Sequence, residues 1–207
     1  MTAQADMMEK LNENLFLWIN NAFASPLMDG AMTFVTVTGD ATVVIGLGLM
    51  SLFWRGAPWR TAVIFLAAMA AGGASVHVIK QSLPKDRPLA HFEERIHSGD
   101  VTVRTPFMAL RHRTFPSGHT QAAFTAAVFF SLLIWRPGPA AALLVWAAMV
   151  GLSRIYLGVH FPMDVAGGAM VGAFCGWLIF RLGFGRTGGP SAKDGAPAAA
   201  GLNQVIS

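Results

Sequence analysis

The sequence predicts an all-α protein: a polytopic membrane helical bundle of five to six transmembrane helices, with an N-terminal amphipathic helix at the interface. Three observations predict it. Of the 207 residues, 54% are hydrophobic and only 13% charged, against roughly 25% charged in ordinary soluble chains, and the mean hydropathy is +0.50. Apolar stretches recur with lengths near the roughly 20 residues that a helix needs to cross a bilayer. The polar residues that membranes exclude are gathered between those stretches.

Taken in order, Leu11, Leu15, Trp18, Ile19 and Ala22 recur at helical spacing, while Asn12, Glu13, Asn14, Asn20 and Asn21 keep the other side polar. That pattern predicts a helix lying in the membrane interface. From Ala31 to Trp54 the chain is apolar apart from Gly39, Asp40 and hydroxyl residues. Its length fits one crossing, whereas splitting it at Asp40 leaves two short pieces. Further crossings are predicted at about Thr61–Ile79, Gln121–Trp135, Ala140–Leu157 and Val165–Phe180. A sixth requires Leu15–Val37 to cross despite Asn20, Asn21, Pro26 and Asp29. The last span carries Gly168, Gly172 and Gly176 at four-residue spacing, which lets helices approach closely.

One domain is expected over residues 1–182. The Gly-, Ala- and Pro-rich residues 183–207 offer little to bury and read as a disordered tail. The N-terminus lacks the basic start and compact apolar core of a cleavable signal peptide. A formal charge of +4 without any Lys/Arg run argues against a nucleic-acid partner. The lone Cys175 excludes an internal disulfide and a cysteine-based metal site, and reads as packing. Arg55, Arg60, Arg136, Arg181 and Arg186 fall on one side of the predicted spans. Short basic loops stay cytoplasmic, so the segments 80–119 and 154–164 are expected together on the outer face.

Those outer segments hold three polar groups. Lys80 ends a span and is followed by Arg87-Pro88; a lysine supplies a point charge and an arginine a planar fork for two phosphate oxygens, although cations at span ends also simply snorkel. Pro116-Ser117-Gly118-His119 precedes an apolar run. A Ser-Gly pair opening a helix offers free N–H groups and a hydroxyl to an anion, with a plain N-cap as the structural alternative. Ser153-Arg154, His160 and Asp164 join two spans, with Pro162 suited to the first position of a helix. Asp164 can then fix one imidazole nitrogen of His160 and leave the other free to attack; the same spacing also serves a structural hydrogen bond. No further Cys, His or carboxylate has metal-ligand spacing around this pair.

These residues resemble the three signatures of the type 2 phosphatidic acid phosphatase superfamily, K-x6-R-P, P-S-G-H and S-R-x5-H-x3-D, complete and in order. The resemblance spans about 85 residues of the chain, from Lys80 to Asp164. It implies that Lys80, Arg87 and Arg154 bind phosphate, aided by Ser117 and the backbone of Gly118. It further implies that His160 is the nucleophile, Asp164 its orienter and His119 the acid that protonates the leaving oxygen. Clustered cations and a base on each side of the phosphorus are what in-line phosphoryl transfer asks for. No metal or other cofactor is then needed.

The expected protein is a lipid phosphate phosphatase of a bacterial inner membrane, its site facing the periplasm or exterior and its partners the bilayer and the lipid phosphate. Undecaprenyl diphosphate is the first choice of substrate, with phosphatidylglycerophosphate, phosphatidate and a lipid A phosphate behind it. The other readings are vanadate-type haloperoxidase chemistry and a non-catalytic binder or transporter of phosphorylated lipids. His77, His91, His97 and His112 fall outside the signatures. Loop residues Glu93, Glu94, Arg95, Arg104, Arg111 and Arg113 are candidates to meet a headgroup.

Overall fold

The structure is a computed structural model that describes residues 3–185. Residue 186 and those after it, most of the expected tail, lie outside the described residues. Within them the helices are α1 (Ala3–Ala22), α2 (Pro26–Thr38), α3 (Ala41–Trp54), α4 (Trp59–Ser82), the short α5 (Pro88–His91) and α6 (Glu93–His97), then α7 (Gly118–Ile134), α8 (Pro137–Tyr156) and α9 (Pro162–Phe184). Gly183 and Phe184, expected in the tail, complete α9 instead.

Three of these, α4, α8 and α9, are long and apolar enough to cross a bilayer unaided, and α7 is a shorter apolar helix. The expected crossing 31–54 is instead a bent pair, α2 and α3, meeting at 62°. The bend has a local cause. Asp40 caps α3, its Oδ1 accepting from the Thr42 N–H at 2.9 Å, and Gly39 lies so close to α8 that an added Cβ would strike Val150. Nor is Leu15–Val37 one helix: the chain breaks after Ala22, and Ser25 caps α2 by accepting from the Met28 N–H at 3.2 Å.

α1 turns its polar side toward the protein. Leu11, Leu15 and Trp18 are exposed, while Phe16 and Asn20 are buried. Asn20 donates to the carbonyls of Arg104 and Tyr156, and Glu13 pairs with His91 and Arg95. Phe16 packs with Phe92 and Phe161. The amphipathic pattern therefore marks a helix whose polar side packs on the loops between α4 and α7 and whose apolar side is exposed, as suits contact with lipid.

The centre is the α7–α9 contact. A Cβ on Gly168, Gly172 or Gly176 would collide with the backbone of Ser117, Gln121 or Thr125 respectively, so two four-residue registers lock together as close packing of small residues requires. Phe65, Phe129 and Phe180 fill the core at the other end, and Cys175 is buried beside it. The end of α4, the start of α7, the end of α8 and the start of α9 thus meet at one end of the bundle. At the opposite end Arg60 donates to the Gly183 carbonyl, and Trp54, Trp59 and Trp135 are exposed like an interfacial aromatic belt.

Candidate active site

Six of the eight residues singled out from sequence line one cavity of about 470 Å³: Lys80, Arg87, Gly118, His119, Arg154 and His160. The other two stand directly behind its wall. Ser117 is fully buried, its hydroxyl accepting from Thr120 at 2.9 Å, which leaves its own O–H available to donate. Asp164 is buried behind His160.

His160 reaches the cavity through a turn. After α8 ends, Gly158 takes a φ of +76°, a conformation for which a side chain is unsuited, and a Cβ there would strike the Arg104 carbonyl. The chain folds back so that the N–H groups of Val159 and His160 both donate to the Arg154 carbonyl. This return is why five residues can separate Arg154 from His160 while both line one wall. Pro162 then opens α9, and Asp164 Oδ2 accepts from the Phe161 N–H at 2.8 Å, closing the helix start.

Two contacts fix the His160 ring. Arg87 Nη1 lies 3.4 Å from Nε2; arginine can only donate, so Nε2 carries the lone pair and Nδ1 the proton. On the other side Thr114, a residue absent from the sequence reading, lies between histidine and carboxylate. Its hydroxyl donates to Asp164 Oδ2 and stands 3.1 Å from His160 Nδ1, placed to accept that proton's hydrogen bond. The direct Nδ1–Oδ2 separation is 3.6 Å, beyond hydrogen-bonding range. His160 is 2% exposed, and burial pushes its pKa down to about 3, with the neighbouring Asp164 carboxylate pulling the other way and Arg87 adding to the fall. The ring is neutral at physiological pH.

Among the described residues none of Lys80, Arg87 and Arg154 has a carboxylate within ion-pair distance, although the carboxylate of Asp40 lines the same cavity. Arg87 is held by the carbonyls of His112 and Val159, each at 2.9 Å. Arg154 donates from Nη1 to the buried Thr36 hydroxyl at 2.6 Å. Its Nε, buried, has no hydrogen-bond partner among the described residues. An unpaired buried donor is costly, and here it belongs to a cavity lined by two further cations, an arrangement suited to a polyanion. Phe107, Met108 and Leu110 supply an apolar wall to the same cavity.

His77, His91 and His112 are engaged elsewhere, with Gln81, Glu13 and Asp86, and neither they nor His97 line the cavity. Arg95, Arg104 and Arg111, considered for a headgroup, pair internally with Glu13, Asp29 and Glu93. One group among the described residues has the spacing to hold a cation, Glu9, Glu13 and His91; it faces a separate cavity under α1.

A helical membrane bundle with a cation-rich cavity around a neutral, aimed histidine defines a class, the membrane-embedded lipid phosphatases. The chain belongs to the PAP2 superfamily, whose family model matches residues 61–187. Among solved structures it is similar to LpxE of Aquifex aeolicus, with 31% identity, a TM-score of 0.67, and coverage of 83% of this chain and 95% of that one. Among curated relatives, YbjG of Escherichia coli, a candidate undecaprenyl-diphosphatase by name, is 33% identical over 172 residues, 80% of this chain and 79% of the relative. A lipid A 4'-phosphatase of Bacteroides thetaiotaomicron is 35% identical over 68 residues, but that match spans only 33% of this chain and 30% of the relative.

Proposed function

We propose that the chain dephosphorylates a long-chain lipid phosphate or diphosphate, with undecaprenyl diphosphate as the leading substrate, through a phosphohistidine on His160. The observation that carries this is the orphaned Nε of Arg154 in a cavity where three cations converge and none is in an ion pair with a carboxylate among the described residues. Those cations replace the metal ions of other phosphoryl-transfer sites by neutralising charge on the equatorial oxygens.

The steps follow from the tautomer. Lys80, Arg87, Arg154 and the Gly118 N–H bind the phosphoryl oxygens, with Ser117 shaping the start of α7. The Nε2 lone pair of His160 attacks phosphorus, forming an N–P bond as the bond to the bridging oxygen breaks. His119 gives its proton to that departing oxygen. Asp164, through Thr114, stabilises the positive charge that develops on His160. Water then attacks phosphorus, His119 takes its proton, the N–P bond breaks, and inorganic phosphate leaves with His160 restored.

The apolar wall of Phe107, Met108 and Leu110 suits a substrate whose chain stays in lipid, and the near full-length likeness to YbjG favours a prenyl diphosphate. All residues given a role lie between 80 and 164, inside the proposed catalytic unit of residues 1–182. The positions of Arg55, Arg60, Arg136 and Arg181 at the opposite end of the helices favour a bacterial inner membrane with the site facing outward.

The test is phosphate release by detergent-solubilised protein from undecaprenyl diphosphate, phosphatidylglycerophosphate, phosphatidate and lipid A. Release is expected to survive strong chelation and to be inhibited by vanadate, which resembles the trigonal bipyramidal transition state. Activity lost in chelator and restored by a divalent ion would defeat the metal-free mechanism. For orientation, a cysteine placed in the loop 93–105 should react with an impermeant thiol reagent in intact cells; protection there reverses the topology.

A further inference from the structure

We propose that Asp40, at the bend between α2 and α3, is a positioning residue whose charge opposes the three cations of the site and favours the proton-bearing form of His119, so that each of the two histidines lining the cavity has its own carboxylate. The inference rests on the phosphatase reading above and specifies how its leaving-group acid is maintained.

An ionisable residue within an apolar segment is costly and usually functional, and Asp40 interrupts the otherwise apolar stretch from Ala31 to Trp54. Capping α3 accounts for only part of it. Oδ1 accepts from the N–H and hydroxyl of Thr42, a task that an uncharged serine or asparagine performs about as well. The charge is left unexplained by the cap. Oδ2 points the other way and lies 3.8 Å from His119 Nε2.

The electrostatics of the cavity supply the reason. The charged or titratable groups lining it are Lys80 from α4, Arg87 from the loop after it, Arg154 from α8, His160 from the turn before α9, His119 from α7, and Asp40. Asp40 is the one carboxylate among them. Asp164 is behind His160, occupied by Thr114 and the Phe161 N–H. Three nearby cations oppose a fourth positive charge on His119, and an opposite charge at about 4 Å is the arrangement that favours it. At 3.8 Å the contact is an ion pair too long to be a hydrogen bond. The Nε2 proton is therefore free to move to the bridging oxygen as the P–O bond breaks, leaving a neutral imidazole beside an unchanged Asp40 carboxylate.

A carboxylate acting through the leaving-group acid matters most when the leaving oxygen is a strong base. Asp40→Asn keeps the cap and removes the charge. On an alkyl phosphate kcat should fall roughly ten- to a hundredfold, within the range general acid catalysis contributes, with KM nearly unchanged. On p-nitrophenyl phosphate, whose leaving group needs little protonation, the loss should be less than about threefold. Asp40→Glu should recover part of the alkyl phosphate rate. In a His119→Ala background Asp40→Asn should have almost no further effect, since the residue it acts through is gone. Equal losses on both substrates, or losses that multiply in the double variant, would overturn the inference while wild-type phosphate release keeps the phosphatase reading. No phosphate release by the wild-type protein from any lipid phosphate would overturn that reading itself.

Discussion

His160 and His119 border the same cavity in opposite kinds of surroundings. His160 is 2% exposed, fixed by Arg87 on one nitrogen and by Thr114 on the other, in a turn closed by the capped start of α9. His119 stands on the first turn of α7 with its side chain 29% exposed, and Asp40 lies 3.8 Å from its Nε2. A nucleophile needs one tautomer and one aim, which burial and fixed partners provide. A leaving-group acid needs to gain and lose a proton in each cycle, which open access and a charged neighbour without a committed hydrogen bond provide. The difference supports giving the two imidazoles different roles.

Replacing the histidines tests that contrast most severely. His160→Ala should reduce turnover to background with every leaving group, because no phosphoenzyme can form; acid-labile phosphohistidine found in that variant would break the comparison. His119→Ala should lose roughly 10²- to 10⁴-fold on an alkyl phosphate and much less on p-nitrophenyl phosphate. Equal losses on both would remove the reason to call it the acid.

The fixed setting of His160 can be sharpened at Thr114. Thr114→Val keeps the shape and removes the hydroxyl between Nδ1 and Asp164, and should cost about 10- to 100-fold in kcat, as lost outer partners do at metal-bound histidines. Thr114→Ser should stay near the wild-type rate. If valine is tolerated, Asp164 reaches the ring without help.

The smallest expected effect is in the pH profile. Burial holds the His160 pKa at about 3, below the ordinary histidine value of 6.5, so the nucleophile stays neutral as pH falls through 6.5 and is lost only when pH approaches 3. In the His119→Ala variant, kcat/KM for p-nitrophenyl phosphate should show no acid limb between pH 5 and 8. An acid limb between pH 5 and 8 would mean that the ring is more open than its burial indicates.

Elements whose information is local or periodic were legible in the amino-acid order. The three signature segments, Pro162 at the first position of α9, and the glycine register of 168, 172 and 176 all follow from spacing along one element, and the structure has them meeting at one end of the bundle. Only the tertiary structure decided the partners. Thr114 lies 46 residues from His160, and Thr36 lies 118 from Arg154; a threonine has no pattern of its own, and only its place two residues before Pro116 could have drawn attention to Thr114. Asp40 was visible as an acid in an apolar stretch, yet the length argument ran the segment straight through it. Hydropathy sums over a window and does not register a cap, so the bend at Gly39 and Asp40 was lost in the average. Likewise the polar side of α1 could face water or protein with the same periodicity, and the loops under Asn20 and Glu13 made the choice. Spacing fixes which residues share a face of one helix, while the contacts that orient a side chain come from chain segments whose approach depends on the packing of the whole bundle.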